Sequence, residues 1–206
     1  MSHPPPIGFD LLPISRWNAK RASDLPYSAE GRGLRRLRFD LLKVLLADDN
    51  PHMRMLLTQI LRAIDVRHIY EASDGAEALQ VMRAHNIDIV FSDLTMQPLD
   101  GIDFVRLLRN SPDSPNQMAP VIMITGHSTM RRIAEARDAG VNEILAKPVT
   151  VRGVLSRISE VIENPRPFVR TPDYFGPERR RRADPNYTGK MRRAADRLRP
   201  PTMIED

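Results

Sequence analysis

The chain has 206 residues, a net charge of +5 and no cysteine. This length allows one ordinary domain with extensions, or two small domains. Without cysteine, disulfide scaffolds, thiolate metal sites and cysteine nucleophiles are excluded. No apolar run approaches the roughly 18 residues of a membrane-spanning helix, and residues 1–6 lack the charged and apolar regions of a secretory signal. We therefore expect a cytoplasmic protein with no membrane partner.

Charge and proline content divide the chain into three segments. Residues 1–40 and 165–206 carry net charges of +3 and +5, whereas residues 41–164 carry −3. The two flanking segments hold 12 of the 18 prolines. They have few regularly spaced apolar residues, so they cannot bury enough surface to offset the entropy of the chain. We predict one domain over residues 41–164, between a disordered basic N-terminal arm and a disordered basic C-terminal tail.

The middle segment alternates strand-like and helix-like patterns in chain order. Apolar runs of strand length occupy residues 41–47, 66–72, 87–92, 121–124 and 141–146. Each run is followed by apolar residues at the i, i+3, i+4 spacing of a buried helix face. Pro51 suits the first turn of the first helix, Gly140 suits the C-cap of the fourth and Thr150 suits the N-cap of the last.

Five βα units in succession predict an α/β fold, in which a five-stranded parallel sheet is wound with helices on both faces. The continuous apolar strands agree with this fold because parallel strands are buried on both sides. Right-handed crossovers place the carboxyl ends of all the strands along one edge of the sheet. Ligands bind at that edge, near the point where the strand order reverses.

Polar residues follow the predicted strands at that edge: Asp48, Asp49, Asp93, Thr125 and Lys147. Three neighbouring carboxylates repel one another, and a small hard cation such as Mg²⁺ would stabilise them. Lys147 offers a positive charge and Thr125 a hydroxyl donor to a phosphoryl group. An aspartate beside Mg²⁺ can act as a nucleophile and form an aspartyl phosphate. These residues therefore predict a Mg²⁺-dependent phosphoryl site.

Residues 43–163 resemble the receiver domain of two-component response regulators, which has a flavodoxin-like, CheY-like (βα)5 fold. The resemblance rests on Asp48-Asp49, the stretch 93–101, Thr125 and Lys147-Pro148. It implies a signalling protein that turns over only its own aspartyl phosphate and is not otherwise an enzyme. It also implies a cis peptide bond between Lys147 and Pro148.

The resemblance also assigns roles to the site residues. It implies that Asp93 accepts a phosphoryl group from the phosphohistidine of a sensor histidine kinase or of a phosphotransfer protein. Mg²⁺ would be held by Asp48, Asp49, Asp93 and the backbone carbonyl of Thr95, and of the first two Asp49 is the favoured direct ligand. The phosphoryl group itself would be contacted by Thr125 and Lys147.

Two features depart from the usual pattern of the family, and a third position is of interest. Gln97 stands where the family usually has proline, and Pro98 comes one residue later, so this loop can differ in shape. Ile144 replaces the aromatic residue that swings inward on phosphorylation, which puts an aromatic switch in doubt. His127 holds a position that tunes the phosphoryl lifetime in the family, although an exposed residue without a special role is the favoured interpretation.

The C-terminal tail shows no recognisable output domain, and a disordered solubilising tail is the favoured interpretation. Its aromatic residues Phe168, Tyr174 and Phe175 could instead anchor a partner protein. The run Arg179–Arg182 could contact nucleic-acid phosphates without sequence specificity. Signalling through protein contacts with an unknown downstream partner is thus the leading hypothesis, and nucleic-acid binding through the tail is the alternative.

A third function is a Mg²⁺-dependent phosphatase of the haloacid-dehalogenase type, which also uses an aspartate nucleophile on a parallel sheet. That class carries an Asp-x-Asp motif after its first strand. The stretch 48–50 reads Asp-Asp-Asn and lacks this spacing. The phosphatase is therefore the least favoured of the three functions.

Overall fold

A computed structural model describes residues 38–126 and 129–179 of the chain. Its central strands are β1 (Lys43–Ala47), β2 (His68–Ala72), β3 (Ile89–Asp93), β4 (Val121–Thr125) and β5 (Glu143–Ala146). Its helices are α1 (Pro51–Ala63), α2 (Gly75–Ala84), α3 (Gly101–Asn110), α4 (Met130–Ala139) and α5 (Val151–Glu163). A 3-10 turn at Phe39–Leu41 precedes β1, and the strands β6 (Phe168–Thr171) and β7 (Tyr174–Pro177) follow α5.

The central strands form one parallel sheet with the order β2-β1-β3-β4-β5, which confirms the predicted doubly wound α/β fold. The strand order reverses between β1 and β3, and this is where such sheets bind ligands. Asp48 directly follows β1, and Asp93 is the last residue of β3. Both carboxylates therefore lie beside the reversal point.

Four strands begin two residues later than predicted, at Lys43, His68, Ile89 and Glu143. Each predicted run was extended by a buried apolar residue that precedes the strand, and these residues are Leu42, Val66, Ile87 and Val141. These side chains contribute to the core from the connections that precede the strands, outside the ladder of paired residues. Apolar content alone therefore overstates strand length at these points.

The core has two layers, one on each face of the sheet. Adjacent residues of a strand point to opposite faces, so Leu45 packs in one layer and Leu46 in the other. The Leu45 layer is completed by α2, α3 and α4, with Phe104 fully buried within it. The Leu46 layer is completed by α1 and α5, which contribute Leu61 and Ile158.

The predicted helix ends are confirmed. Pro51 occupies the first position of α1, and the side chain of Asn50 caps that helix. Gly140 ends α4 with a φ of 102°, a left-handed conformation that glycine adopts without strain. The hydroxyl of Thr150 accepts a hydrogen bond from the backbone N–H of Gly153 at 3.1 Å and so caps α5.

Beyond α5 the structure differs from the predicted disordered tail, because β6 and β7 form an antiparallel hairpin. Phe168 and Phe175 are only 4% and 3% exposed, and their ring centroids are 5.6 Å apart. A Cβ on Gly176 would lie 2.9 Å from the Cα of Gly140, so the hairpin and the end of α4 touch backbone to backbone. The predicted anchor residues therefore dock onto the chain's own doubly wound α/β domain.

The hairpin covers a fully buried arginine at the end of α3. The guanidinium of Arg109 donates hydrogen bonds to the carbonyl of Gly140, to the carbonyl of Gln117 and to the side-chain oxygen of Asn142. Its carbon atom lies 5.0 Å from the ring centroid of Phe168, within cation–π range. Burial lowers the pKa of Arg109 to about 9, so the side chain remains charged at neutral pH.

Several predictions concern residues outside the described ranges. These are the N-terminal arm up to residue 37, His127, and the tail beyond residue 179, which includes most of the run Arg179–Arg182. They stay predictions. Within the described ranges, no helix combines the length and the apolar character needed to cross a bilayer.

Candidate functional site

Three predicted site residues converge at the carboxyl edge of the sheet. The ammonium nitrogen of Lys147, after β5, lies 2.7 Å from Oδ1 of Asp93 and 3.7 Å from Oδ2 of Asp48. Asp48 is 1% exposed and Asp93 is 8% exposed. The fold therefore places one cation between two nearly buried carboxylates that come from neighbouring strands.

Both oxygens of Asp93 are held. Oδ1 accepts the hydrogen bond from the Lys147 ammonium, and Oδ2 accepts one from the backbone N–H of Thr95 at 3.0 Å. These contacts fix the orientation of the carboxylate, while its small remaining exposure leaves it within reach of a ligand. Such an oriented, partly accessible carboxylate is suited to nucleophilic attack.

Asp48 is less well satisfied. Its Oδ1 accepts a hydrogen bond from the backbone N–H of Asn50 at 2.9 Å, but its buried Oδ2 has no hydrogen-bond partner among the described residues. Burial raises the pKa of Asp48, and the nearby Asp93 charge raises it further. The hydrogen bond from the Asn50 N–H lowers this pKa, but the net shift is upward. A buried oxygen in this state fits a cation ligand, and oxygen donors are those that Mg²⁺ prefers.

The remaining predicted metal ligands are Asp49 and the carbonyl of Thr95, and both residues are exposed. Over residues 38–126 and 129–179, no group of three or more acidic or histidine side chains is arranged as a metal cage. This arrangement still fits Mg²⁺, which usually takes one or two carboxylates and keeps several waters. Asp48 and Asp93 would hold it, and the roles of Asp49 and the Thr95 carbonyl stay predictions.

Thr125 and Lys147 are linked through the backbone. Thr125 ends β4 and is 5% exposed, and its carbonyl accepts a hydrogen bond from the Lys147 N–H at 2.7 Å. Burial lowers the pKa of Lys147, but the hydrogen bond and charge of Asp93 together with the charge of Asp48 outweigh it, so the net shift is upward. Lys147 therefore stays protonated beside the carboxylates.

At the connection from β3 to α3, Gly101 begins α3 as predicted, but the sequence interpretation missed its close approach to the site and the cap before it. A Cβ on Gly101 would lie 2.0 Å from the backbone oxygen of Asp93, so only glycine lets α3 start this close to the site. Asp100 caps α3 by accepting a hydrogen bond from the Asp103 N–H at 2.8 Å. The sequence does contain the pair Asp100-Gly101, an N-cap residue followed by glycine, which indicates a helix start at this point.

The departures from the family pattern are visible in the same region. The Gln97–Pro98 peptide bond is cis, as is the Lys147–Pro148 bond that the resemblance implied. Ile144 is partly buried and packs against the core layer of α2, α3 and α4. An aliphatic side chain thus occupies the position at which the family usually has an aromatic residue.

The unsatisfied Asp48 carboxylate predicts a stability effect. We expect Asp48→Asn to stabilise the metal-free protein at pH 7 by about 1 kcal/mol, the order of the cost of a buried polar atom that makes no hydrogen bond. The sign follows from the raised pKa, because the folded state disfavours the ionised form and loses stability as pH rises above the usual carboxyl range. Thermal unfolding in a chelator measures the effect.

The control for this substitution is Asp113→Asn, which changes an exposed aspartate in the loop before β4 and should leave the melting temperature unchanged. Added Mg²⁺ should stabilise the wild type by mass action and have much less effect on the Asp48 variant. A lower melting temperature for Asp48→Asn in chelator would contradict the interpretation.

Comparisons with known proteins agree with the fold and the site. Residues 44–159 match the family described as the response regulator receiver domain. The chemotaxis protein CheY of Pseudomonas aeruginosa is 33% identical over 122 residues, which cover 59% of this chain and 97% of that protein. CheY-3 of Vibrio cholerae is 32% identical over 122 residues, covering 59% and 92% of the two chains.

Solved structures show the same similarity. CheY4 of Vibrio cholerae has a TM-score of 0.54 and 26% identity, with 59% of this chain and 98% of that chain covered. CheY in the CheX-CheY-BeF3-Mg²⁺ complex of Borrelia burgdorferi has a TM-score of 0.52 and 31% identity, with coverages of 58% and 88%. Over residues 44–159, this chain belongs to the response regulator receiver family.

Proposed function

We propose that this protein accepts a phosphoryl group on Asp93 from the phosphohistidine of a sensor histidine kinase or phosphotransfer protein, and signals through protein contacts. The observation that carries the proposal is the Asp93 carboxylate, held by Lys147 on one oxygen and by the Thr95 N–H on the other. Asp48, whose buried Oδ2 accepts no hydrogen bond among the described residues and lies 3.7 Å from the Lys147 ammonium, completes the arrangement.

The proposed reaction transfers phosphorus from nitrogen to oxygen. An oxygen of Asp93 attacks the phosphorus atom, the P–N bond of the phosphohistidine breaks, and its electron pair stays on the imidazole, which leaves neutral after protonation. Lys147 neutralises the negative charge beside Asp93, and the Thr125 hydroxyl donates a hydrogen bond to a phosphoryl oxygen. Mg²⁺, held by Asp48 and Asp93, would supply further charge neutralisation.

Family membership and one neighbouring structure support this proposal. The Borrelia burgdorferi complex contains CheY with BeF3, Mg²⁺ and the partner protein CheX. By analogy, Mg²⁺ is the expected cofactor of this chain and other proteins are its expected partners. We propose that the chain turns over no substrate except its own aspartyl phosphate, and that it acts in the cytoplasm, where histidine kinases present their phosphohistidine.

Phosphorylation by acetyl phosphate tests the proposal. In the presence of Mg²⁺ the wild type should gain the mass of one phosphoryl group, sensitive to hydroxylamine as an acyl phosphate is. Asp93→Asn should lose this gain completely because the amide is not a nucleophile. Asp113→Asn, at an exposed loop position, should react like the wild type. An unmodified wild type, or equal labelling of Asp93→Asn, would refute the function.

A further inference from the structure

An ion pair joins α4 to the connection between β3 and α3. Nη2 of Arg132, in the first turn of α4, lies 3.2 Å from Oδ2 of Asp100, and its Nη1 lies 3.1 Å from Oε2 of Glu135. The side chains of Arg132 and Asp100 are 36% and 27% exposed, so the pair is partly shielded from water. The Arg132–Asp100 pair is a tertiary contact, because it joins residues of two different elements.

Asp100 uses its two carboxylate oxygens for two different elements. Oδ1 accepts the hydrogen bond from the Asp103 N–H that caps α3, and Oδ2 pairs with Arg132 of α4. The hydrogen bond to Asp100 also raises the pKa of Arg132. The carboxylate therefore fixes the start of α3 relative to α4.

The backbone next to Asp100 is in close contact with the phosphoacceptor. Gly101 has no room for a Cβ against the Asp93 carbonyl oxygen, which would lie 2.0 Å away. The Gly101 N–H also donates a hydrogen bond to the Leu94 carbonyl at 3.3 Å. Asp100 is thus one residue away from backbone that is packed directly against the phosphoacceptor strand.

The neighbouring arginine provides a contrast on the same helix. Arg131 is 88% exposed and pairs with Glu135, four residues further along α4, at 2.9 Å. This is an ordinary pair within one helix. Of the two adjacent arginines, Arg132 is the one paired with the β3–α3 connection.

We propose that Arg132 is a positioning residue that ties α4 to the phosphoacceptor connection through Asp100 and thereby slows phosphorylation of Asp93. This inference rests on the function proposed above. The tie exists in the unphosphorylated protein, whereas a phosphoryl group adds charge and acceptor oxygens beside Thr125, at the end of the strand that leads to α4. Rearrangement of α4 around the new group must then stretch or break the pair.

Initial rates of phosphorylation by acetyl phosphate with Mg²⁺ test this role in the full chain. Arg132→Gln should react about threefold faster than the wild type, the factor that corresponds to a partly exposed ion pair. Arg131→Gln should react at the wild-type rate. Arg132→Lys, which keeps the positive charge, should restore most of the wild-type rate. A purely structural role would instead lower the melting temperature and slow the reaction.

A double-mutant cycle identifies the partner. Asp100→Asn keeps a side-chain oxygen that can cap α3 but removes the charge, and it should also accelerate the reaction about threefold. The Asp100→Asn/Arg132→Gln double variant should be no faster than either single variant, because both changes break one contact. Multiplicative effects would show that the two residues act independently and would overturn the proposal.

The two proposals fail in distinguishable ways. If the wild type gains no phosphoryl group, the proposed function fails and the role of Arg132 fails with it. If the wild type is phosphorylated at Asp93 but Arg132→Gln reacts no faster than Arg131→Gln, only the positioning role is overturned.

Discussion

Phe168→Ala is expected to lower the free energy of unfolding by about 3 kcal/mol, as truncations of buried phenylalanines do, and the melting temperature by about 10 °C. Phe168 is 4% exposed, packs against Phe175 in the hairpin and covers the guanidinium of Arg109. Truncation leaves a cavity and lets water reach a charge that the folded chain has surrounded with carbonyl oxygens. Chemical denaturation of the full chain measures the loss.

Two further variants separate the causes of this loss. Phe168→Leu keeps most of the apolar cover and removes the aromatic ring, so it should cost about 2 kcal/mol, the scale of a desolvated cation–π contact. Val169→Ala changes the next residue of β6, which points to the opposite face of the hairpin and is partly exposed, and should change stability little. If Phe168→Ala were as stable as Val169→Ala, the hairpin would not stabilise the fold.

The second large effect is expected at Gly101. An alanine Cβ would lie 2.0 Å from the Asp93 carbonyl oxygen and 2.9 Å from the Ser92 hydroxyl. The start of α3 must then move away, at a cost of about 3 kcal/mol or more because backbone atoms cannot rotate aside. The same movement displaces Asp93, so phosphorylation by acetyl phosphate should slow at least about tenfold.

Gly126→Ala is the matched control for stability. Gly126 follows Thr125 at the same edge of the sheet, but no atom of the described residues lies within 4 Å of the Cβ that alanine would add. Its melting temperature should equal that of the wild type. A Gly101→Ala protein with wild-type stability and wild-type phosphorylation would show that the β3–α3 connection yields easily, contrary to the geometry.

The sequence was sufficient to locate the site because the site depends on strand ends. In a parallel sheet the residue that follows each apolar run reaches the same edge, so Asp48, Asp93 and Lys147 could be grouped from their positions alone. The contacts at 2.7 Å and 3.7 Å to the Lys147 ammonium agree with that grouping. The sequence could not show that one Asp48 oxygen accepts no hydrogen bond among the described residues, since this depends on atomic geometry.

The hairpin was missed for a physical reason. A segment rich in proline and arginine, with two phenylalanines, cannot bury enough surface by itself. Its local composition therefore predicts disorder and contains no information on burial against the rest of the chain. The burial comes from the receiver, whose Gly140 backbone and Arg109 guanidinium offer a complementary surface. Arg109 gave no signal of burial, because arginine on a predicted helix usually faces water.

The Arg132–Asp100 pair was beyond reach for a related reason. The two residues are 32 positions apart, and their elements approach one another only after the sheet has formed. Local patterns do predict an N-cap at Asp100. Local patterns contain no information on which side chain of another helix pairs with the Asp100 carboxylate.

The docked hairpin moves the boundary at which this receiver domain can be cut for transfer into another protein. The segment that matches the family ends at residue 159, but the packed unit runs on to Arg179, whose guanidinium lies over the Tyr174 ring at 4.1 Å and pairs with Asp138 of α4 at 3.2 Å. A recombinant fragment cut after α5 would expose the Arg109 charge and the Gly140 backbone to water. A chimeric regulator built from this receiver should therefore carry the graft through Arg179.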